Sequence, residues 1–167
     1  MADQQTLKYG WAPGYGGEPV YSIRPNGDAN PGFLASEVLS KKSGRYVIYD
    51  ISDAYWRVCA DNETKIGGYV DQDLTCSSTN GGTKLAIAQN VDQFCTEMPY
   101  AVAGAVGTLT AAVLKTIIGK LIDIYVIGGI QYADNAATQA ILRVVDGSVE
   151  RNTLIVTVLN AKIDQVA

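Results

Sequence analysis

The chain has 167 residues, a net charge of −4 and no histidine. Its mass of 17.8 kDa suits one domain with a real core and leaves too little chain for two. Apolar residues make up 47% and charged residues 18%, which is too apolar for a disordered chain. The missing histidine excludes Ser-His-Asp and Cys-His catalysis, histidine-ligated zinc and a histidine pH switch. Acidic and basic side chains are scattered with no basic stripe, so nucleic acid is not expected as a partner.

Residues 9–32, YGWAPGYGGEPVYSIRPNGDANPG, hold six glycines and four prolines in 24 positions, so neither a helix nor a central strand persists there. The same stretch carries Tyr9, Trp11, Tyr15 and Tyr21. Residues 1–33 therefore read as an extended arm that lays aromatic side chains on its own domain or on a neighbour, and these four are the candidate interface residues. The plainer reading is a Tyr/Gly-rich loop folded over its own core.

Residues 34–167 read as the globular unit. Phe33 to Lys42 has apolar spacing for one or two helical turns, or for an irregular connector. Short β-type runs follow at Tyr46–Ile51, Tyr55–Ala60, Ile66–Val70 and Leu85–Ala88, separated by Ser52-Asp53, Asp61-Asn62-Glu63 and the tract from Cys76 to Gly82. That spacing argues for a meander in a barrel or sandwich rather than βαβ units. Ala101 to Leu114 is apolar but too short to span a membrane, and it reads as core or interface.

A threonine cap, two alanines and Gly119-Lys120 frame one short helix near Thr110–Ile118. Leu121–Ile127 reads as a strand ending at Gly128-Gly129, followed by a polar loop through Thr138. Ile141–Val145, the turn Asp146-Gly147 and Asn152–Leu159 predict a hairpin. In its second strand Leu154, Val156 and Val158 face one side and Thr153, Ile155, Thr157 and Leu159 the other, so both faces are expected to be covered. The helix, the arm or a second subunit could supply the second cover.

Chemistry is sought in vain. There is no G-x-S-x-G elbow and no phosphate loop, and Gly14-Tyr15-Gly16-Gly17 runs into Pro19 where a dinucleotide fingerprint needs glycine. Asp71 and Asp73 alone offer too few oxygens for calcium and read as a solvated strand end. Cys59, Cys76 and Cys95 have no C-x-x-C spacing and no basic neighbour, so reduced, packed thiols are expected, with one disulfide and a free thiol as the alternative. No catalytic, cofactor-binding or metal-binding residue is assigned, and no cofactor is expected. Met1-Ala2-Asp3 leads into polar residues rather than an apolar signal core, which predicts a protein made in the cytoplasm.

The order of segments is familiar: a Gly/Pro-rich arm, Lys84-Leu85-Ala86-Ile87-Ala88, an Ala/Gly/Thr tract, Ile118-Gly119-Lys120 leading into Leu121-Ile122-Asp123-Ile124, Gly128-Gly129-Ile130-Gln131, Leu142-Arg143-Val144-Val145-Asp146, and Arg151-Asn152-Thr153-Leu154-Ile155-Val156. This resembles the small head decoration, or cement, proteins of tailed bacteriophages, mainly over residues 43–167. The resemblance implies a mainly β, small β-barrel or β-tulip-like domain with one short helix and an extended N-terminal arm. It implies a homotrimer on the outer surface of the capsid, with the major capsid protein and itself as partners and no membrane. A tail or fibre-base protein is the nearest alternative. A glycan-binding β-domain, with Trp11, Trp56 and the tyrosines as stacking platform, is the other.

Overall fold

A computed structural model describes residues 10–25, 30–39 and 45–164. The chain is mainly β with one short helix. The larger sheet is built from β9 (Thr96–Val102), β11 (Leu121–Ile127), β12 (Ile130–Asp134), β13 (Leu142–Ser148) and β14 (Thr153–Val158). Its pairings run β9-β12-β11-β13-β14 and then from β14 back to β9, a closed circuit. All are antiparallel except β12 with β9. β1 (Gly10–Trp11) and β10 (Ala105–Val106) add to β9.

A second sheet has the order β2-β8-β6-β4-β5, from β2 (Tyr21–Ser22), β4 (Arg45–Asp50), β5 (Tyr55–Val58), β6 (Gly68–Val70) and β8 (Ile87–Ala88). β3 (Val38–Leu39) and β7 (Leu74–Thr75) form a small third pair. One core joins the two larger sheets: Tyr46, Ile48 and Tyr69 from the second meet Met98, Tyr100, Ile124, Val144 and Val156 from the first. Behind the second sheet, Phe33, Val47, Trp56, Val70 and Ile87 make a separate cluster. Among the described residues no helix is long and apolar enough to cross a membrane.

Several sequence expectations hold locally. β11 spans the predicted residues, and α1 (Ala111–Ile117) starts at Thr110, whose hydroxyl accepts from the Val113 N–H at 3.2 Å. Gly128 and Gly129, both at positive φ, make the two-residue turn into β12. Both faces of β14 are covered, as the alternation requires.

Other expectations are corrected. Of the two readings of Phe33–Lys42, the helical turns are not formed over the described part, which is a largely irregular connector in which Phe33 bridges Trp56 and Val38–Leu39 pair with β7. Tertiary pairing wins because so short a helix cannot repay its own nucleation. The segment after Gly129 is the strand β12 rather than a polar loop, since Gln131 and Asp134 are buried with hydrogen-bond partners. Asp146-Gly147 is not the last turn. It lies inside β13 at a bulge, and the chain reverses at Val149–Asn152, with Asn152 at φ 55°. The longest unforeseen element is β9, whose Pro99 sits opposite Thr153 of β14.

Candidate interaction surface

Of the four arm aromatics, Tyr9 lies outside the described residues. The other three are strapped to the outside of the chain's own domain. Trp11 pairs with Thr96, and Gly10 with Glu97 on the same strand. Gly10 is obligatory here, because it has φ 141° and a Cβ would lie 2.6 Å from the Tyr69 hydroxyl.

Beyond β1 the arm crosses the outer face of the larger sheet. The Ala12 N–H donates to the Cys95 carbonyl at 2.9 Å, and Ala12 buries itself with Cys95 and Ile155. The cover foreseen for the second face of β14 is therefore the arm. The Cys95 thiol donates to the Tyr15 carbonyl at 2.8 Å, and the Tyr15 hydroxyl donates to Asp146 Oδ2 at 2.7 Å. The Gly17 N–H donates to the Gln93 carbonyl at 2.7 Å.

Asn90 then clamps the arm from both sides, accepting from the Val20 N–H and donating to the Glu18 carbonyl, each at 2.9 Å. Tyr21 follows as the edge strand of the second sheet, paired with Ala88. Asn30 closes the arm by donating to the Leu85 carbonyl and accepting from the Gly32 N–H.

Trp11, Tyr15 and Tyr21 remain 39%, 40% and 43% exposed, and Val20 and Ile23 beside them more so. Each aromatic thus has one side on the domain and one toward solvent. The Tyr15 phenol is held above its ordinary pKa by the hydrogen bond to Asp146 and that carboxylate's charge. The Tyr21 phenol is pushed up to about 12 by burial and by Asp71. Both stay neutral at physiological pH, so the strap presents uncharged rings, suited to apolar packing against a protein or sugar surface.

Trp56 does not join this surface. It is 1% exposed and packs edge-on to Tyr49 at 5.7 Å, which removes it from any stacking platform. Asp71 and Asp73 are exposed and lie in the connection between β6 and β7, past the end of the strand. Among the described residues no three His, Cys, Asp or Glu side chains are placed to hold a metal.

All three cysteines are free and buried. Burial pushes each thiol pKa up, Cys59 well up, so none is poised as a thiolate nucleophile. The residues that sequence reasoning missed are the clamp, Asn90, and the anchor, Asp146. Isolated polar residues in turns carry no signal of a long-range partner. Compared with family models, curated proteins and solved structures, the chain matches none.

Proposed function

We propose that this chain is a structural, non-catalytic virion protein that decorates the outer surface of an icosahedral phage head and stabilises it by bridging major capsid protein subunits, acting as a homotrimer. The observation that carries the reading is the arm. Trp11 and Tyr21 are fixed in place by strand pairing and Tyr15 by its bonds with Cys95 and Asp146, yet each keeps about two-fifths of its surface for a partner. A pre-ordered aromatic strap loses little entropy on docking, and in many copies its weak contacts add up. The segment order from Lys84 to Val156 that resembles head decoration proteins supports the same reading.

The test is cosedimentation with undecorated phage heads, for the wild type and for Trp11→Ala combined with Tyr21→Ala. Saturable pelleting that the double variant weakens at least tenfold supports the reading. Wild-type protein that stays in the supernatant overturns it. A glycan-binding domain is the second reading, favoured only by the same exposed rings, and a glycan array with the same two proteins separates the two.

A further inference from the structure

We propose that Asn80 is a covalent modification site gated by the fold: succinimide formation with Gly81 is blocked while residues 33–35 sit against the 79–82 turn, and is released when they lift. Asn-Gly is the step of a polypeptide most prone to lose ammonia, because no Cβ hinders the glycine nitrogen. The chain has two, at 26–27 and 80–81. Asn26 and Gly27 lie outside the described residues, whereas Asn80 stands exposed in its turn, open to water and base.

The turn is fastened to the segment that leads from the arm into the globular unit. The Gly81 N–H donates to the Phe33 carbonyl and the Ala35 N–H to Asn80 Oδ1, each at 2.8 Å. Two more bonds frame these, from the Phe33 N–H to the Thr83 carbonyl and from the Ser36 N–H to the Ser77 carbonyl, each at 2.9 Å. The Phe33 ring, fully buried in the cluster of Val47 and Trp56, pins the segment. Glycine is required at 81, because its φ is 74° and a Cβ there would lie 2.8 Å from the Pro31 carbonyl oxygen. The close packing that seats the segment therefore places a labile Asn-Gly step in an exposed turn.

Deamidation begins when base removes the Gly81 amide proton and the nitrogen attacks Asn80 Cγ. The new N–Cγ bond closes a succinimide ring, and the carboxamide nitrogen leaves as ammonia. Water then opens the ring at either carbonyl, giving aspartate or an isoaspartate whose main chain runs through Cγ, with nothing oxidised or reduced. In the folded chain both reacting groups are engaged, the Gly81 proton by Phe33 and the carboxamide oxygen by Ala35. Exposure by itself would make Asn80 react fast, so the protection comes from these bonds. Aspartate keeps the oxygen that Ala35 uses. Isoaspartate adds a backbone atom ahead of Gly81 and shifts its N–H away from Phe33, so a segment that has lifted long enough to react does not seat as before.

The test uses the full chain in mildly alkaline buffer, following the amide-to-acid mass shift at Asn80 by peptide mapping. Native Asn80 is expected to convert at least tenfold more slowly than in urea, where conversion of Asn26 shows that the chemistry runs. Asn30→Ala removes the bonds to the Leu85 carbonyl and from the Gly32 N–H that hold the chain just ahead of Phe33, without touching the turn. It is expected to stay folded by circular dichroism and to convert Asn80 at least threefold faster than wild type. Hydrogen exchange needs no variant and decides alone if Asn30→Ala does not fold: the native Gly81 amide is expected to exchange at least tenfold more slowly than in urea. Equal Asn80 conversion in the native protein and in urea overturns the proposal. So does a folded Asn30→Ala chain that keeps the wild-type rate, or a native Gly81 amide that exchanges as fast as an unprotected one.

Discussion

The Gln131 side chain stands in for a strand opposite Tyr46. Its Oε1 accepts from the Tyr46 N–H at 2.9 Å, and its Nε2 donates to the Tyr46 carbonyl at 3.0 Å and to the Cys59 carbonyl at 3.1 Å. Gln131 lies on β12 and Tyr46 on β4, so one carboxamide closes the hydrogen-bond accounts of two sheets where they meet inside the core. A buried backbone group left without a partner costs about 1–3 kcal/mol, and Gln131 meets three, of which the Tyr46 carbonyl also accepts from the Cys59 N–H at 3.0 Å.

Gln131→Leu keeps the volume and removes all three bonds. The expected loss is about 2 kcal/mol or more in urea denaturation, set by the orphaned Tyr46 N–H and Cys59 carbonyl, since the Tyr46 carbonyl keeps the Cys59 N–H. Gln131→Glu is expected to do no better, because a carboxylate accepts but cannot donate and is itself buried. An unchanged urea midpoint for the leucine variant would show that water replaces the carboxamide.

Val156 is fully buried on β14 with its side chain in the main core. Val156→Asp places a carboxylate there with no cation to meet it, a cost of several kcal/mol, about the whole stability of a small domain. Circular dichroism should show loss of the cooperative transition. A soluble variant that melts like wild type would mean that the strand faces the other way.

The arm can be read out through Cys95, which is 4% exposed beneath Ala12 and Tyr15. A chain beginning at residue 18 is expected to melt cooperatively at a lower temperature, with Cys95 reacting with a thiol reagent under native conditions. Cys59, 1% exposed in the main core, should react only on global unfolding. Gly10→Val, whose Cβ would meet the Tyr69 hydroxyl, should give a partial version of the same exposure. Equal Cys95 reactivity in the full-length and shortened chains would show that the arm does not hold its seat in solution.

Asp123 of β11 and Asp134 of β12 are directly opposite one another and both buried. Asp123 accepts from the N–H groups of Thr138, Gln139 and Ala140, while the Asp134 carboxylate accepts long bonds from the Gly104 N–H, with the Ala103 backbone beside it. The Asp134 pKa is raised, first by burial, with Asp123 and Asp61 adding repulsion. A raised carboxyl pKa means that the folded chain holds more protons than the unfolded one between the ordinary Asp value of about 4 and the raised value, so stability falls as pH climbs through that window. Asp134→Asn removes this contribution. Its stability relative to wild type should therefore rise from pH 4 to pH 7, as read from denaturation midpoints. A difference that is flat with pH would show that Asp134 carries no such burden.

Much of the local structure could be read from the residues in order. Thr110 and the alanines after it specify α1, the β-branched run Leu121–Ile127 specifies β11, and the alternation in Thr153–Val158 showed that both faces of β14 needed cover. These features depend on neighbours in the chain, where propensity, capping and side-chain period act directly. What only the tertiary structure decided involves partners far apart in sequence. β12 is a strand because Gln131 finds Tyr46, and β9 is central, despite Pro99, because β14, β12 and the arm all pair with it. The aromatic content of the arm was plain, but its seat was not. That seat exists because Gly10 lacks a Cβ beside Tyr69 and because Cys95 and Ile155 leave an apolar gap for Ala12, a fit that arises only once the strands have assembled.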